Sequence, residues 1–113
     1  MLVQMLKSYL KKKTLLKEIE YMNSINSNIY VFTTKKVLKE GNPIIRVIHE
    51  QDGDWQFLGD EHNLQEEDAM VVSLNEIVEY DKSLSDIIHL PEGKQAIRDG
   101  IGGVWHIFDT SSE

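Results

Sequence analysis

The sequence predicts a single α+β domain over residues 1–113, with an antiparallel sheet of about four to five strands and short helices on one face. Three observations predict this fold class. The chain has 113 residues, of which 41% are hydrophobic and 27% are charged, as expected for one globular domain. Short β-rich runs are separated by turn signals. Helical patterns stand before and after these runs and do not alternate with them, which favours an antiparallel sheet.

The first 25 residues are predicted to form an amphipathic helix. Apolar side chains recur at spacings of three, four and seven, while lysines occupy the other side. The apolar positions are Leu2, Met5, Leu6, Tyr9, Leu16 and Ile19. A run rich in Asn and Ser at 23–28 ends the helix. The body of the domain, residues 29–108, contains the sheet.

The strands of this body are predicted from its β-branched and aromatic runs. Five such runs occur, at 29–33, 44–49, 55–58, 70–73 and 104–108. Between the second and third runs, Asp52 is followed by Gly53, a pair that favours a tight hairpin turn. These two runs should therefore pair as neighbouring antiparallel strands.

Helix signals lie between and after the strands. Thr34 is a candidate cap for a short helix that ends before Gly41, and Ser73 with Glu76 forms a capping-box pattern for the next helix. Apolar residues at 84–90 predict another short helical face. The segment 92–99 is predicted to add one more helical turn before the glycines at 100–103.

Charge is unevenly distributed along the chain. The net charge is −7, and the first twenty residues carry +3, so the rest of the chain carries −10. Between Arg46 and Lys82 there are eleven acidic residues and no Lys or Arg. Such a surface repels nucleic acid and anionic lipid and attracts cationic proteins. The predicted partner is therefore a cationic protein, and neither nucleic acid nor a membrane is expected as a partner.

The absence of cysteine excludes a disulfide scaffold, a thiolate nucleophile and a Cys-ligated zinc site. Small secreted domains usually need disulfides, so the predicted localisation is cytoplasmic. Lysines interrupt the apolar residues of the N-terminal region, which argues against a signal peptide. No run of the sequence has the apolar length that a bilayer-spanning helix needs.

The predicted binding residues come from the densest part of the acidic window, residues 52–68. They are Asp52, Asp54, Asp60, Glu61, Glu66, Glu67 and Asp68, together with Trp55. Trp55 and Phe57 alternate along the third predicted strand, a spacing that predicts burial on one face of the sheet. An aromatic wall for a ligand or partner is the other interpretation of Trp55.

Two alternatives to a binding protein stay open. His49, Asp60 and His62 could form the centre of a hydrolase or metal-dependent enzyme, because His and carboxylate side chains serve as acids, bases and metal ligands. However, the sequence contains no HExxH pattern, nucleophile elbow, Walker loop or Rossmann fingerprint, and its acid spacing does not fit an EF-hand. We therefore predict no catalytic residue, no metal and no cofactor. The second alternative is a self-associating structural protein, a homodimer formed through the N-terminal helix.

The segment Asp52-Gly-Asp-Trp-Gln-Phe-Leu-Gly59 resembles a small bacterial family of unknown function, some of whose members are identified as immunity proteins of polymorphic toxin systems. The resemblance extends from Val31 to Trp105. It rests on Trp55, Phe57, Gly59, Asp60 and Pro91. It implies a toxin as the partner and supplies no catalytic residue. Many toxins are basic nucleases, which an acidic surface complements. The leading prediction is a non-enzymatic cytosolic protein that acts by stoichiometric protein–protein binding.

Overall fold

The computed structural model describes residues 29–61 and 64–110. The predicted N-terminal helix and His62 lie outside these described residues. In chain order, the elements are β1 (Tyr30–Thr34), α1 (Lys35–Leu38), β2 (Arg46–His49), β3 (Trp55–Leu58), β4 (Ala69–Ser73), α2 (Leu74–Tyr80), β5 (Lys94–Ile97) and β6 (His106–Asp109). Short 3-10 turns occupy Glu66–Asp68 and Lys82–Asp86. The predicted α+β class is confirmed.

The sheet is mixed, so the prediction of a purely antiparallel sheet of four to five strands is wrong in two respects. The described residues form six strands in the order β4-β1-β3-β2-β5-β6. All neighbours are antiparallel except β1 and β3, which run parallel with Phe32 opposite Gln56. The parallel pair arises because α1 carries the chain past one strand position, and the β2–β3 hairpin then places β3 between β1 and β2.

Strand β5 replaces the helical turn that was predicted at 92–99. Lys94, Gln95 and Ala96 are good helix formers, and no alternation of strongly apolar residues marks them as a strand. In the fold, this segment pairs with β2 on one side and β6 on the other. Gln95 and Ala96 are buried there. Pairing on both edges outweighs the weak local preference, as is common for strands.

The local signals for turns and caps are confirmed. The Thr34 hydroxyl accepts a hydrogen bond from the Val37 amide at 3.2 Å and caps α1. Gly53 has a φ of +95° in the β2–β3 turn, a conformation that favours glycine. The predicted helical face at 84–90 is smaller than expected, with a 3-10 turn over Lys82–Asp86, although Leu84 is still buried.

Ser73 caps α2 as the sequence predicts, and its removal should have a measurable effect. The Ser73 hydroxyl accepts from the Glu76 amide at 3.0 Å and donates to the Glu76 carboxylate at 3.2 Å. Replacing Ser73 with alanine should lower the free energy of unfolding by about 1 kcal/mol, because one amide of the first helical turn loses its partner. Urea unfolding measures this change. The same substitution at the exposed Ser85 is the control, and equal effects at both positions would contradict a capping role.

The main core lies between one face of the sheet and the described helices. It joins side chains of β1, β2, β3 and β5 to side chains of α1, α2 and the segment after α2. Its buried members are Val31, Val37, Ile44, Val47, Trp55, Phe57, Ile77, Leu84, Ile87, Leu90 and Ala96. Trp55 is 5% exposed and Phe57 is fully buried, so their predicted burial on one face is confirmed. Ile48 and Leu58, which point to the other face, form a second and smaller cluster.

Candidate protein-binding surfaces

The sheet divides the predicted acidic residues between its two ends. His49 is opposite Trp55 in the β2–β3 ladder, so Asp52 and Asp54 in the hairpin turn lie before β3 begins. Asp60 follows the other end of the same strand. Four residues of strand at roughly 3.3 Å each place about 13 Å of sheet between the two groups. The residues that form one acidic window in the sequence therefore do not form one continuous surface.

The carboxylates after β3 and before β4 do come together. We refer to Asp60, Glu61, Glu66, Glu67 and Asp68 as the acidic end. Glu61 accepts a hydrogen bond of 2.6 Å from the Thr34 hydroxyl at the last residue of β1. Thr34 is in turn opposite Ala69, which directly follows Asp68. The end of β1 thus brings two chain segments with five carboxylates to one place.

Local hydrogen bonds hold the acidic end in a fixed shape. Asp68 accepts from the backbone amide of Gln65 at 2.9 Å, which closes the 3-10 turn over Glu66–Asp68. The carboxylates of Asp60 and Glu67 are exposed. Within residues 29–61 and 64–110, none of the five acidic residues forms an ion pair with Lys or Arg. Apart from the hydrogen bonds that Glu61 and Asp68 accept, their negative charge is therefore not compensated within the described residues.

The acidic residues at the hairpin turn have structural partners. The backbone amide of Asp54 donates to the Asp52 carboxylate at 3.1 Å, and the side-chain amide of the buried Gln56 donates to the Glu50 carboxylate. The Glu92 carboxylate lies beside Gly53 in the same region. We call this group of Glu50, Asp52, Asp54 and Glu92 the hairpin end. Within this group, the Asp52 carboxylate helps to hold the turn.

Trp55 lies inside the fold, although the sequence also allowed it a role as an aromatic contact for a partner. Its ring stacks on His49 with a centroid distance of 3.9 Å and on Phe57 with 5.8 Å. Only 5% of the residue is exposed. The three stacked rings form one layer beneath the hairpin end, and almost none of the Trp55 side chain faces solvent.

The structure does not bring His49 and Asp60 together. His49 Nδ1 lies 2.7 Å from the Leu90 carbonyl oxygen and its ring packs on Trp55, at the hairpin end of the sheet. Asp60 belongs to the acidic end, a strand length away, and His62 lies outside the described residues. No three His, Asp or Glu side chains in the described ranges are grouped closely enough to hold a metal ion. The described residues therefore place His49 and Asp60 at opposite ends of β3.

An apolar groove borders the edge strand β4. It has a volume of about 510 Å³ and lies between α1, α2 and β4. Its lining residues are Leu38, Val72, Asn75, Glu76, Glu79 and Tyr80. The Tyr80 hydroxyl donates to the Val37 carbonyl at 2.6 Å, which joins the two helices at one end of the groove. The groove thus combines apolar walls with the acidic residues Glu76 and Glu79. In the sequence, Val72 lies four residues after Asp68 of the acidic end.

Two further features were not predicted from the sequence. The first is a buried ion pair between Arg98 and Asp81, whose side chains are 1% and 7% exposed. The second is the exposure of strand β6, all four residues of which lie at the surface. The ion pair joins residues that are distant in the sequence, so helix or strand periodicity does not predict it. Strand β6 is exposed because it lies at the edge of the sheet. This position depends on the order of all the strands and not on the residues of β6 itself.

No family model, no curated protein and no solved structure matches this chain. The resemblance of the segment 52–59 to immunity proteins therefore stays a prediction. The predicted cationic partner is likewise untested. In the part of the chain that the structure describes, none of the helices combines the length and the apolar character required to cross a membrane.

Proposed function

We propose that this chain is a non-enzymatic binding protein that acts by stoichiometric contact with a cationic protein. The acidic end is the observation that carries the proposal. Two separate segments supply five carboxylates to one end of the sheet, and hydrogen bonds from Thr34 and Gln65 fix the positions of two of them. A charged surface that is already ordered loses little conformational entropy when a partner binds.

The groove beside β4 supports the same proposal, because it supplies apolar contacts in addition to charge. Charge complementarity increases the association rate more than it increases affinity, so a tight complex also needs buried apolar contacts. Leu38 and Val72 offer such contacts, and Glu76 and Glu79 place further negative charge beside them. The partner that fits this surface carries Lys or Arg around at least one protruding apolar side chain.

The resemblance to immunity proteins gives this partner a biological class. A toxin that is a basic nuclease has the required positive surface, and the protein that neutralises it acts in the cytoplasm of the producing cell. Inhibition by binding requires no catalytic group in the inhibitor. The separation of His49 from Asp60 in the fold is compatible with this mode of action.

Neutralising the acidic end should slow association with the partner. The partner is first isolated from the source cells with the tagged full chain as bait. The triple variant Asp60→Asn, Glu66→Gln, Glu67→Gln should then associate about tenfold more slowly at low salt, because electrostatic steering is reduced. Its rate should also depend less on ionic strength between about 0.05 and 0.5 M, a range in which screening shortens from roughly 14 to 4 Å. Stopped-flow mixing measures both quantities.

A matched control removes the same number of charges at the hairpin end. The variant Asp52→Asn, Asp54→Asn, Glu92→Gln has the same net charge as the first variant but an unchanged acidic end. Its association rate should stay within about a factor of two of the wild-type rate. Equal slowing by both variants would show that only the net charge matters, and slowing by the control alone would place the interface at the hairpin. Thermal unfolding of each variant verifies that the fold is retained.

A further inference from the structure

Strand β6 is an apolar sheet edge that the rest of the described fold leaves open. It is the last strand in the sheet order, and it pairs with β5 alone among the described strands. Ile107 is 56% exposed and Phe108 is 47% exposed. Val104 and Ile101 on the approach to the strand are more exposed still. Natural edge strands are usually protected by a lysine, a proline, a bulge or a covering element. Strand β6 contains neither lysine nor proline.

The backbone of Ile107 faces away from β5. The Thr110 amide donates to the Gly93 carbonyl at 2.9 Å, so this pair is a hydrogen-bonded pair of the β5–β6 ladder. In an antiparallel ladder such pairs alternate, which makes Phe108 and His106 the next residues bonded to β5. The amide and carbonyl of Ile107 therefore point outward, in the direction from which another strand would pair.

We propose that β6 pairs with β6 of a second copy of this chain, about a two-fold axis that passes beside Ile107. An antiparallel pair centred on this residue lets the two Ile107 backbones exchange both of their hydrogen bonds. The same register places His106 opposite Phe108 of the other copy, and this contact occurs twice by symmetry. The two six-stranded sheets then become one continuous sheet. This inference does not depend on the proposed function.

The side chains of β6 favour a copy of the same strand as the occupant. Ile107 shares the core face of the sheet with its neighbour Ala96, and Phe108 shares the opposite face with Gln95. A partner strand must therefore offer apolar groups on both of its faces. The copy does so, because residues directly opposite share a face and each face gains either an Ile107 pair or two His106–Phe108 contacts.

The distribution of charge also favours β6 as the surface for self-association. The chain has a net charge of −7, so two copies have like net charges and repel each other at long range. Residues 104–108 contain no carboxylate, and the nearest one, Asp109, forms an ion pair with Lys94 of the same chain. The pairing closes as a dimer, because a two-fold contact uses the exposed edge of both copies. The opposite edge, β4, has only partly buried and buried residues.

The register can be tested by cysteine cross-linking, because the natural chain contains no cysteine. Two Ile107→Cys chains should form a disulfide under mild oxidation. Hydrogen-bonded antiparallel pairs have Cα atoms about 5.5 Å apart, within the range of about 4.4–6.8 Å that disulfides span. His106→Cys alone and Phe108→Cys alone should not cross-link, whereas an equimolar mixture of these two variants should. Cross-linking of all variants to the same extent would overturn the proposal.

Reversible association gives an independent measurement. Sedimentation equilibrium of the full chain should show a monomer–dimer equilibrium, and Ile107→Lys should raise the dissociation constant of the dimer at least about tenfold, since like charges directly opposite each other are destabilising. Ile29→Lys, the same change at another exposed isoleucine, should leave that constant unchanged. Melting curves verify that both variants fold. A wild-type chain that stays monomeric at millimolar concentration, or an Ile107→Lys chain that still dimerises normally, would overturn the proposal.

Discussion

Replacing Arg98 with methionine should lower the free energy of unfolding by about 3–5 kcal/mol, the range observed when one partner of a buried ion pair is removed. Arg98 donates from Nη2 to the Asp81 carboxylate at 2.8 Å, from Nη1 to the Ser83 hydroxyl at 2.8 Å and from Nε to the Ile44 carbonyl at 3.0 Å. Its guanidinium carbon also lies 4.3 Å from the centre of the Trp105 ring. The methionine variant leaves the buried Asp81 carboxylate without its cation.

A double-mutant cycle separates the contribution of the Arg98–Asp81 ion pair from the loss of packing around Arg98. Asp81→Asn alone should also destabilise the protein, and Arg98→Met combined with Asp81→Asn should cost less than the sum of the two single changes. Lys94→Met is the matched surface control, because the Lys94–Asp109 pair is 42% and 64% exposed. That variant should lose no more than about 1 kcal/mol. Chemical denaturation of all four variants decides the matter, and a loss below 1 kcal/mol for Arg98→Met would contradict the structural role.

The Arg98 cluster shows what local sequence signals leave out. Its hydrogen bonds join residues that are 54, 15 and 17 positions apart in the chain. No spacing of three or four residues links Arg98 to Asp81, so helix or strand periodicity gives no hint of the contact. The cluster forms because β5 ends where the chain enters β2 and where α2 is followed by its 3-10 turn. Which of these segments lie next to each other is decided by the topology of the fold, not by the local sequence.

Features that depend on neighbouring residues were predictable. The Ser73–Glu76 capping box and the Gly53 turn each satisfy backbone groups within a few residues, and both are present in the structure. The alternation of Trp55 and Phe57 correctly predicts that both side chains are buried on one face of β3, but Gln56 and Leu58 on the opposite face are buried as well. The parallel pairing of β1 with β3 was missed, because the order of strands in a sheet depends on contacts between residues far apart in sequence.

The candidate binding surface shows the same division. Residues 52–68 are strongly acidic in the sequence, but β3 crosses the sheet in the middle of this window. Asp52 and Asp60 consequently lie at opposite ends of the strand. By contrast, Glu61 and the segment that ends at Asp68 both lie at the end of β1, because Glu61 bonds to Thr34 and Thr34 pairs with Ala69. The strand register therefore decides which acidic residues lie at the same end of the sheet.

Truncating Trp55 to alanine should lower the free energy of unfolding by about 3–5 kcal/mol, the range for large aromatic side chains in protein cores. The loss is expected because the ring is 5% exposed and packs against His49 on one side and Phe57 on the other. Trp55→Phe, which retains an aromatic ring at the same position, should recover a large part of the lost stability. Truncation of the exposed His89 to alanine is the surface control and should change stability by no more than about 0.5 kcal/mol. Thermal and urea unfolding measure all three variants. A wild-type melting temperature for Trp55→Ala would show that the indole ring is not part of the core and would make its exposure to a partner the better interpretation.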